Sequence, residues 1–298
     1  MALCCSCCRS DCCRYRLVHS IPFCGRCSLT VYVACPIWRY LDVRVAHSII
    51  SVMASLEGHE RVYLETFDGD ALISRTRSQL ATKFVEEEQL QAADVMVIID
   101  DNVQFSPDDF WKIVAGAREK GSLYGGIYAT RSREPHMAAL GYPGQELQFG
   151  PGQDAVPIKY LATGFMAVPV PILHEMIAHP GFASAHGKEK LLRHTQGVGQ
   201  FPMWDFFRPF TIQEDDGQYH YLSEDWAFNE RARQLGYEVW ADQSIILHHR
   251  AVVSITVADI SQPGHAMTAE GAPSKGVSIL EVGPAIGSEQ QELTSVVG

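Results

Sequence analysis

Cysteine vanishes early: all nine cysteines lie between Cys4 and Cys35, and the rest of the chain has none. No disulfide can staple the body of the chain to itself, so a reducing setting, the cytoplasm, is the expected compartment. Long hydrophobic runs are missing as well. No stretch approaches the ~20 apolar residues that a membrane helix needs, and the N-terminus has no continuous apolar run of secretory type. Dense Lys/Arg blocks are absent from the body, and the formal net charge is −11. Such a chain repels nucleic-acid phosphates, so nucleic acid is not an expected partner. Anionic substrates must then be held by single arginines, backbone N–H groups or a metal.

What is present suits a soluble enzyme. The 298 residues are 46% hydrophobic and 20% charged, enough to bury a sizeable core in one large α/β domain with appendages. Residues 1–28 form a Cys- and Arg-rich extension, with Cys4-Cys5-Ser6-Cys7-Cys8, Cys12-Cys13 and Cys24-Gly25-Arg26-Cys27. Three readings stay open for it: an unstructured extension, S-acylated cysteines that give a membrane contact, or half of a zinc site. From Asp259 to the end, Gly, Ser, Pro, Glu and Gln dominate, and a disordered polar tail is expected over 259–298.

Between these flanks, residues 29–258 read as one domain in which strands and helices alternate. Leu29–Ala34 is a β-branched first strand. Val43, Ala46, Ile49, Ile50, Met53 and Leu56 recur at helical spacing before Gly58. Arg61–Thr66 is a second strand, and a helix follows over 71–88 with Leu72, Thr76, Leu80 and Phe84 on one face. Val95–Ile99 is wholly apolar, as a strand covered on both sheet faces should be. Ser106-Pro107-Asp108-Asp109 opens a helix with a cap, a proline at the first position and acids in the first turn. Ser122–Thr130 returns as a strand. After a Gly-, Pro- and His-rich stretch over 132–220, Tyr160–Val168 is expected as a strand with Gly164 in its middle. Ser223–Leu235 reads as a capped helix, and Tyr237–Asp242 as a further strand.

Chemistry gathers at four places. The apolar run ends in Asp100-Asp101-Asn102. Ligands of open α/β sheets sit at the carboxyl ends of strands, and clustered acids there need a cation. A hard divalent ion with oxygen ligands supplies one and can bridge to phosphates; a plain polar turn is the competing reading. Arg75 and Arg77 lie two apart on a helix and so on different faces; Arg77 is favoured to reach the strand edge. Gly164 permits close approach of a ligand, or else packs at a bulge. Ser223 can cap a helix whose first turn carries Glu224 and Asp225, where the helix dipole keeps a carboxylate ionised and able to accept a proton.

In this order the motifs resemble the GT-A fold of glycosyltransferases, the nucleotide-diphospho-sugar transferases, over about Leu29 to His249. Asp100-Asp101-Asn102 looks like the D-x-D motif with Asn in third place, and Ala162-Thr163-Gly164-Phe165-Met166 is similar to the segment lining the sugars. Glu224-Asp225 followed by Phe228, Arg231 and Leu235-Gly236-Tyr237 resembles the Glu-Asp helix. The resemblance implies a single GT-A-like, Rossmann-like domain with a mostly parallel sheet and helices on both faces. It also implies transfer of a hexose-type sugar from a nucleotide-diphosphate sugar to a glycan or other hydroxyl acceptor, with Mn²⁺ or Mg²⁺. Asp225 would be the catalytic base with Glu224 beside it. Arg77, Asp100, Asp101 and Gly164 would hold the donor, and Asp100, Asn102 and one late histidine the metal. Of His248 and His249, which face opposite ways in an extended segment, the reading leans to His248. Asn102 and Ser78 depart from the family pattern, which leaves a catalytically weak or inactive nucleotide-sugar-binding protein as the alternative. A nucleotidyltransferase is disfavoured, because Ala34–Arg39 lacks a Gly-rich basic loop; Trp38 and Arg39 are candidate base contacts instead.

Overall fold

A sheet of seven strands forms the core of the described domain. The structure, a computed structural model, describes residues 30–56, 61–131, 136–179, 182, 203–214 and 217–250. The Cys-rich extension, the helix stop at Gly58 and the polar tail therefore lie outside the described residues. All the described residues belong to one compact unit.

The elements up to the centre of the sheet are β1 (Thr30–Ile37), α1 (Val43–Ala54), β2 (Arg61–Asp68), α2 (Ile73–Glu86), β3 (Val95–Ile99), β4 (Val103–Gln104), α3 (Pro107–Lys120) and β5 (Leu123–Gly126). Then come β6 (Ala139–Leu140), β7 (Ala155–Ile158), β8 (Tyr160–Leu161), β9 (Phe165–Pro169) and α4 (Val170–Ala178). The last are β10 (Phe210–Gln213), β11 (Tyr219–Leu222), α5 (Glu224–Gln234), β12 (Val239–Asp242) and β13 (His248–His249). The central sheet has the strand order β2-β1-β3-β9-β5-β12-β7; five of these strands run the same way, with β7 and β9 opposed to them.

Alternation along β3 explains the layers. Met96 and Ile98 join Leu80 and Phe84 of α2, Ile172 and Leu173 of α4, and Phe228 of α5. Val95, Val97 and Ile99 join Val45, Ile49 and Val52 of α1 with Ile113 and Val114 of α3. A period of two on a strand sends neighbours to opposite faces, so both sheet faces carry helices.

Local signals hold where they are physical caps. Ser106 accepts from the backbone N–H of Asp109 while Asp109 receives that of Ser106, and Gly121 ends α3 in the left-handed region (φ 58°). Elsewhere the structure corrects the pattern. In α1, Val43 and Ile50 are exposed, whereas Val45, Ser48, Ile49 and Val52 are buried, so the inward face is rotated from the expected one. Leu72 caps α2 and is exposed. Tyr160–Val168 is not one strand: β8 and β9 are separate and pair with different partners, with Ala162–Gly164 turning between them. The strand expected over 122–130 stops at Gly126.

Candidate functional site

The carboxyl ends of β1, β3, β5 and β12 meet at one edge of the sheet, and the antiparallel β9 begins there. Asp100 follows β3 directly. Its N–H donates to the Gly164 carbonyl at 2.9 Å, which ties the two strand ends together. Space is tight at that junction. A Cβ on Gly164 would stand 2.5 Å from Asp100 Oδ2 and would collide with the Tyr128 hydroxyl. Only a residue without a side chain fits, and the space a Cβ would take is filled by the Asp100 and Tyr128 side chains.

Arg77 joins the pieces. It projects from α2, is 5% exposed, and donates through Nη2 to Asp100 Oδ1 at 2.7 Å and through Nη1 to Glu224 Oε1 at 3.2 Å. Arg75 instead pairs with Asp70, its Nη2 donating to Oδ1 at 2.6 Å. Burial works against the Arg77 charge, but Asp100, Asp225 and Glu224 around it prevail and hold the guanidinium firmly protonated. Its neighbour Ser78 is fully buried and accepts the Phe207 N–H at 3.1 Å, a structural duty.

Glu224 and Asp225 open α5. Ser223 occupies the cap position, but its hydroxyl donates to Asp225 Oδ1 at 2.7 Å instead of accepting from a helix N–H. The Trp226 N–H also reaches Oδ1, at 2.9 Å. The helix is pinned by Asn229: its amide donates to the Asp225 carbonyl at 2.7 Å, and its oxygen accepts the Leu161 N–H at 2.8 Å.

Asp101 turns the other way, accepting from the Trp38 N–H at 3.2 Å, and desolvation together with Asp100 raises its pKa. With Asn102 it lines a cavity of about 190 Å³ bounded by Trp38, Tyr40, Arg39, Arg131 and Arg250. The Arg39 guanidinium sits 4.7 Å over the Trp38 ring. Three of the four buried side-chain atoms without a partner among the described residues belong to this edge: Arg77 Nε, Asn102 Oδ1 and Thr163 Oγ1. Each such atom costs about 1–3 kcal/mol, and a bound ligand is one remedy.

The two histidines separate clearly. In the β13–β4 pair His248 opposes Gln104 and is exposed, while His249 opposes Val103 and is half-buried. His249 Nδ1 lies 2.8 Å from the Ala129 carbonyl, and its ring meets Tyr128 edge-on at 4.9 Å. Burial lowers its pKa, and the charges of Asp100 and Asp101 act on it in the opposite sense. The structure thus puts His249, not His248, beside the acids, because the strand register turns His248 outward.

Sequence reasoning missed Tyr128, Asn229, Arg131 and Arg250. Tyr128 is buried, its hydroxyl accepts the Gly164 N–H at 3.2 Å, and burial and Asp100 raise its pKa. Its position just past a strand end at the ligand edge was the available signal.

Among the described residues, no group of three or more His, Cys, Asp or Glu side chains is gathered around a metal position. Asp101 and Asn102, which line one cavity, offer hard oxygens of the kind that Mg²⁺ or Mn²⁺ takes, while Asp100 is bonded to Arg77.

No family model matches the chain, and no curated protein matches it. Among solved structures it is similar to the crystal structure of A197 from STIV, with a TM-score of 0.47 and 12% identity over 75% of this chain and 86% of that one. A likeness of that degree decides nothing about function.

Proposed function

We propose that this chain is a GT-A-type glycosyltransferase that moves a sugar from a nucleotide-diphosphate sugar to a hydroxyl acceptor with the help of a divalent cation. One observation carries the reading: Arg77 binds both Asp100 and Glu224, the latter 147 residues from it, so a strand-end acid and a helix-start acid meet at one guanidinium. Beside them lies a cavity that combines aromatic rings with Arg39, Arg131 and Arg250. Rings suit a base, and guanidinium forks suit a diphosphate.

Asp100, Asp101, Glu224 and Asp225 contribute four negative charges, offset nearby by Arg77 and Arg131. Asp101, Asn102 and the free edge of Asp100 would hold the cation, which neutralises the diphosphate leaving group when bound. Asp225, with one oxygen fixed by Ser223 and Trp226, keeps the other for an acceptor hydroxyl and would take its proton in an inverting transfer. In a retaining transfer the same carboxylate orients the acceptor.

A second reading is favoured by the Arg77–Asp100 contact itself. A guanidinium in that place already neutralises the strand-end acid, which suits a nucleotide-sugar-binding protein that transfers weakly or not at all. Thermal melting with UDP-, GDP- and other nucleotide-sugars, with and without Mn²⁺, separates the two. A donor at a hundred times its Kd stabilises by about 2.7 kcal/mol, roughly 5–10 °C in a domain of this size. A Mn²⁺-dependent shift that Asp100→Ala abolishes, with donor hydrolysis that Asp225→Asn depresses, supports the transferase. A metal-independent shift without hydrolysis supports the binding protein. No shift with any donor sinks both.

A further inference from the structure

Directly before the Glu224–Asp225 pair, β10 and β11 form a two-stranded hairpin with Thr211 opposite Tyr221 and Gln213 opposite Tyr219. Alternation sorts its side chains. Phe210, Ile212 and Leu222 turn inward onto Tyr160, Trp226 and Ala227. That leaves Thr211, Gln213, Tyr219 and Tyr221 on the outer face, with Tyr219 73% and Tyr221 70% exposed. Two rings at positions i and i+2 of one strand stand about 7 Å apart on the same side.

The hairpin is held firmly. Lys159 bonds Glu214 Oε1 at 2.7 Å, the Gln213 amide donates to the Gly217 carbonyl at 3.0 Å, and Gly217 takes the positive φ of 80° that the turn needs. Leu222 anchors the other end in the core, and the chain passes through Ser223 into the two acids. The rings therefore lie three and five residues before Glu224, the first residue of the helix that carries the acids.

Two exposed tyrosines on one face suit a flat ligand that is apolar on one side and hydroxylated at its edge. A pyranose ring offers its C–H face to the phenols and its hydroxyls to Thr211. A protein partner fits less well. Two tyrosines supply roughly 300–500 Å² of contact, short of the ~800 Å² per side of a stable protein interface.

We infer that the Tyr219–Tyr221 face is a stacking platform for a saccharide acceptor, joined along the chain to Asp225 through Leu222 and Ser223. This deepens the transferase reading and rests on it. The full-length chain is run in native gels containing glycogen, laminarin, xylan or hydroxyethylcellulose, and titrated with the matching hexasaccharides. Expected is retardation by at least one glycan, lost at least tenfold in Tyr219→Ala/Tyr221→Ala and kept in Tyr219→Phe/Tyr221→Phe, which retains the ring. The melting temperature of each unliganded variant reports that it is folded. The inference is overturned if no glycan retards the wild type, or if the double alanine variant binds as well as the wild type. It is also overturned if sedimentation shows that the tyrosines instead pair two copies of the chain. The donor-induced melting shift of the wild type is read in parallel. If that shift is present and glycan binding absent, only the platform falls; if glycan binding is tyrosine-dependent and the shift absent, the platform stands and the transferase reading falls.

Discussion

Removing Arg77 should expose how the acidic edge is held together. Arg77→Met keeps most of the side-chain volume but deletes the bonds to Asp100 at 2.7 Å and Glu224 at 3.2 Å. Breaking a buried ion pair from one side costs about 3–5 kcal/mol, because the partners stay charged and unpaired. Here Asp100 keeps 20% and Glu224 24% of their side-chain surface, so water softens the penalty and the low end applies. A loss of about 3 kcal/mol corresponds to roughly 6–12 °C in a domain of this size. Scanning calorimetry of wild type, Arg77→Met and Arg77→Lys at neutral pH tests this, with Lys intermediate because it keeps charge but not the fork. An Arg77→Met protein that melts within a degree or two of wild type at neutral pH would refute the reasoning.

Gly164→Ala should lower stability by about 1–3 kcal/mol, as overpacking does, and weaken donor binding by displacing Asp100; a wild-type melting curve and donor shift would show that the junction is slack. Asn229→Ala should cost about 2–3 kcal/mol, since it strands the Leu161 N–H and frees the first turn of α5. That variant should also lower turnover more than donor affinity, read from kcat against KM. The Cys35 thiol is buried, and desolvation, then Asp100 and Asp101, push its pKa up to about 12. Pulse alkylation at pH 8 followed by peptide mapping should leave it unmodified until denaturant is added; fast native labelling would contradict the placement of β1 against the acidic edge.

Some of this was readable from residues alone because the signals are local. Val95–Ile99 announces a doubly covered strand since all five side chains are apolar, and it is fully buried. Ser106-Pro107 and Asp109 carry the whole start of α3 within four residues. The α1 segment misled because its apolar residues spread over more than half of its circumference, so periodicity could not choose between Val43 and Val45 as the buried face. Tyr160–Val168 looked continuous because strand propensity does not reveal that Asp100 and Tyr128 crowd Gly164. The site residues that escaped, Tyr128 and Asn229, act through partners 36 and 68 positions away. Spacing within a motif cannot register such pairs.

The choice of His249 over His248 shows how a site depends on register rather than on residue type. Both are imidazoles at adjacent positions, and only the pairing of His249 with Val103 turns one of them toward Tyr128 and the acids. The same dependence governs the cation. Asp101 faces the arginine-lined cavity while Asp100 faces Arg77, so the two acids that a linear motif lists together serve different neighbours. A protein cage for a divalent ion would need both carboxylates on one side. With one of them committed to Arg77, a cation at this turn would need oxygens from a ligand to complete its shell, as Mg²⁺ takes them from phosphates. On the proposed transferase reading, metal and nucleotide would therefore bind as a unit.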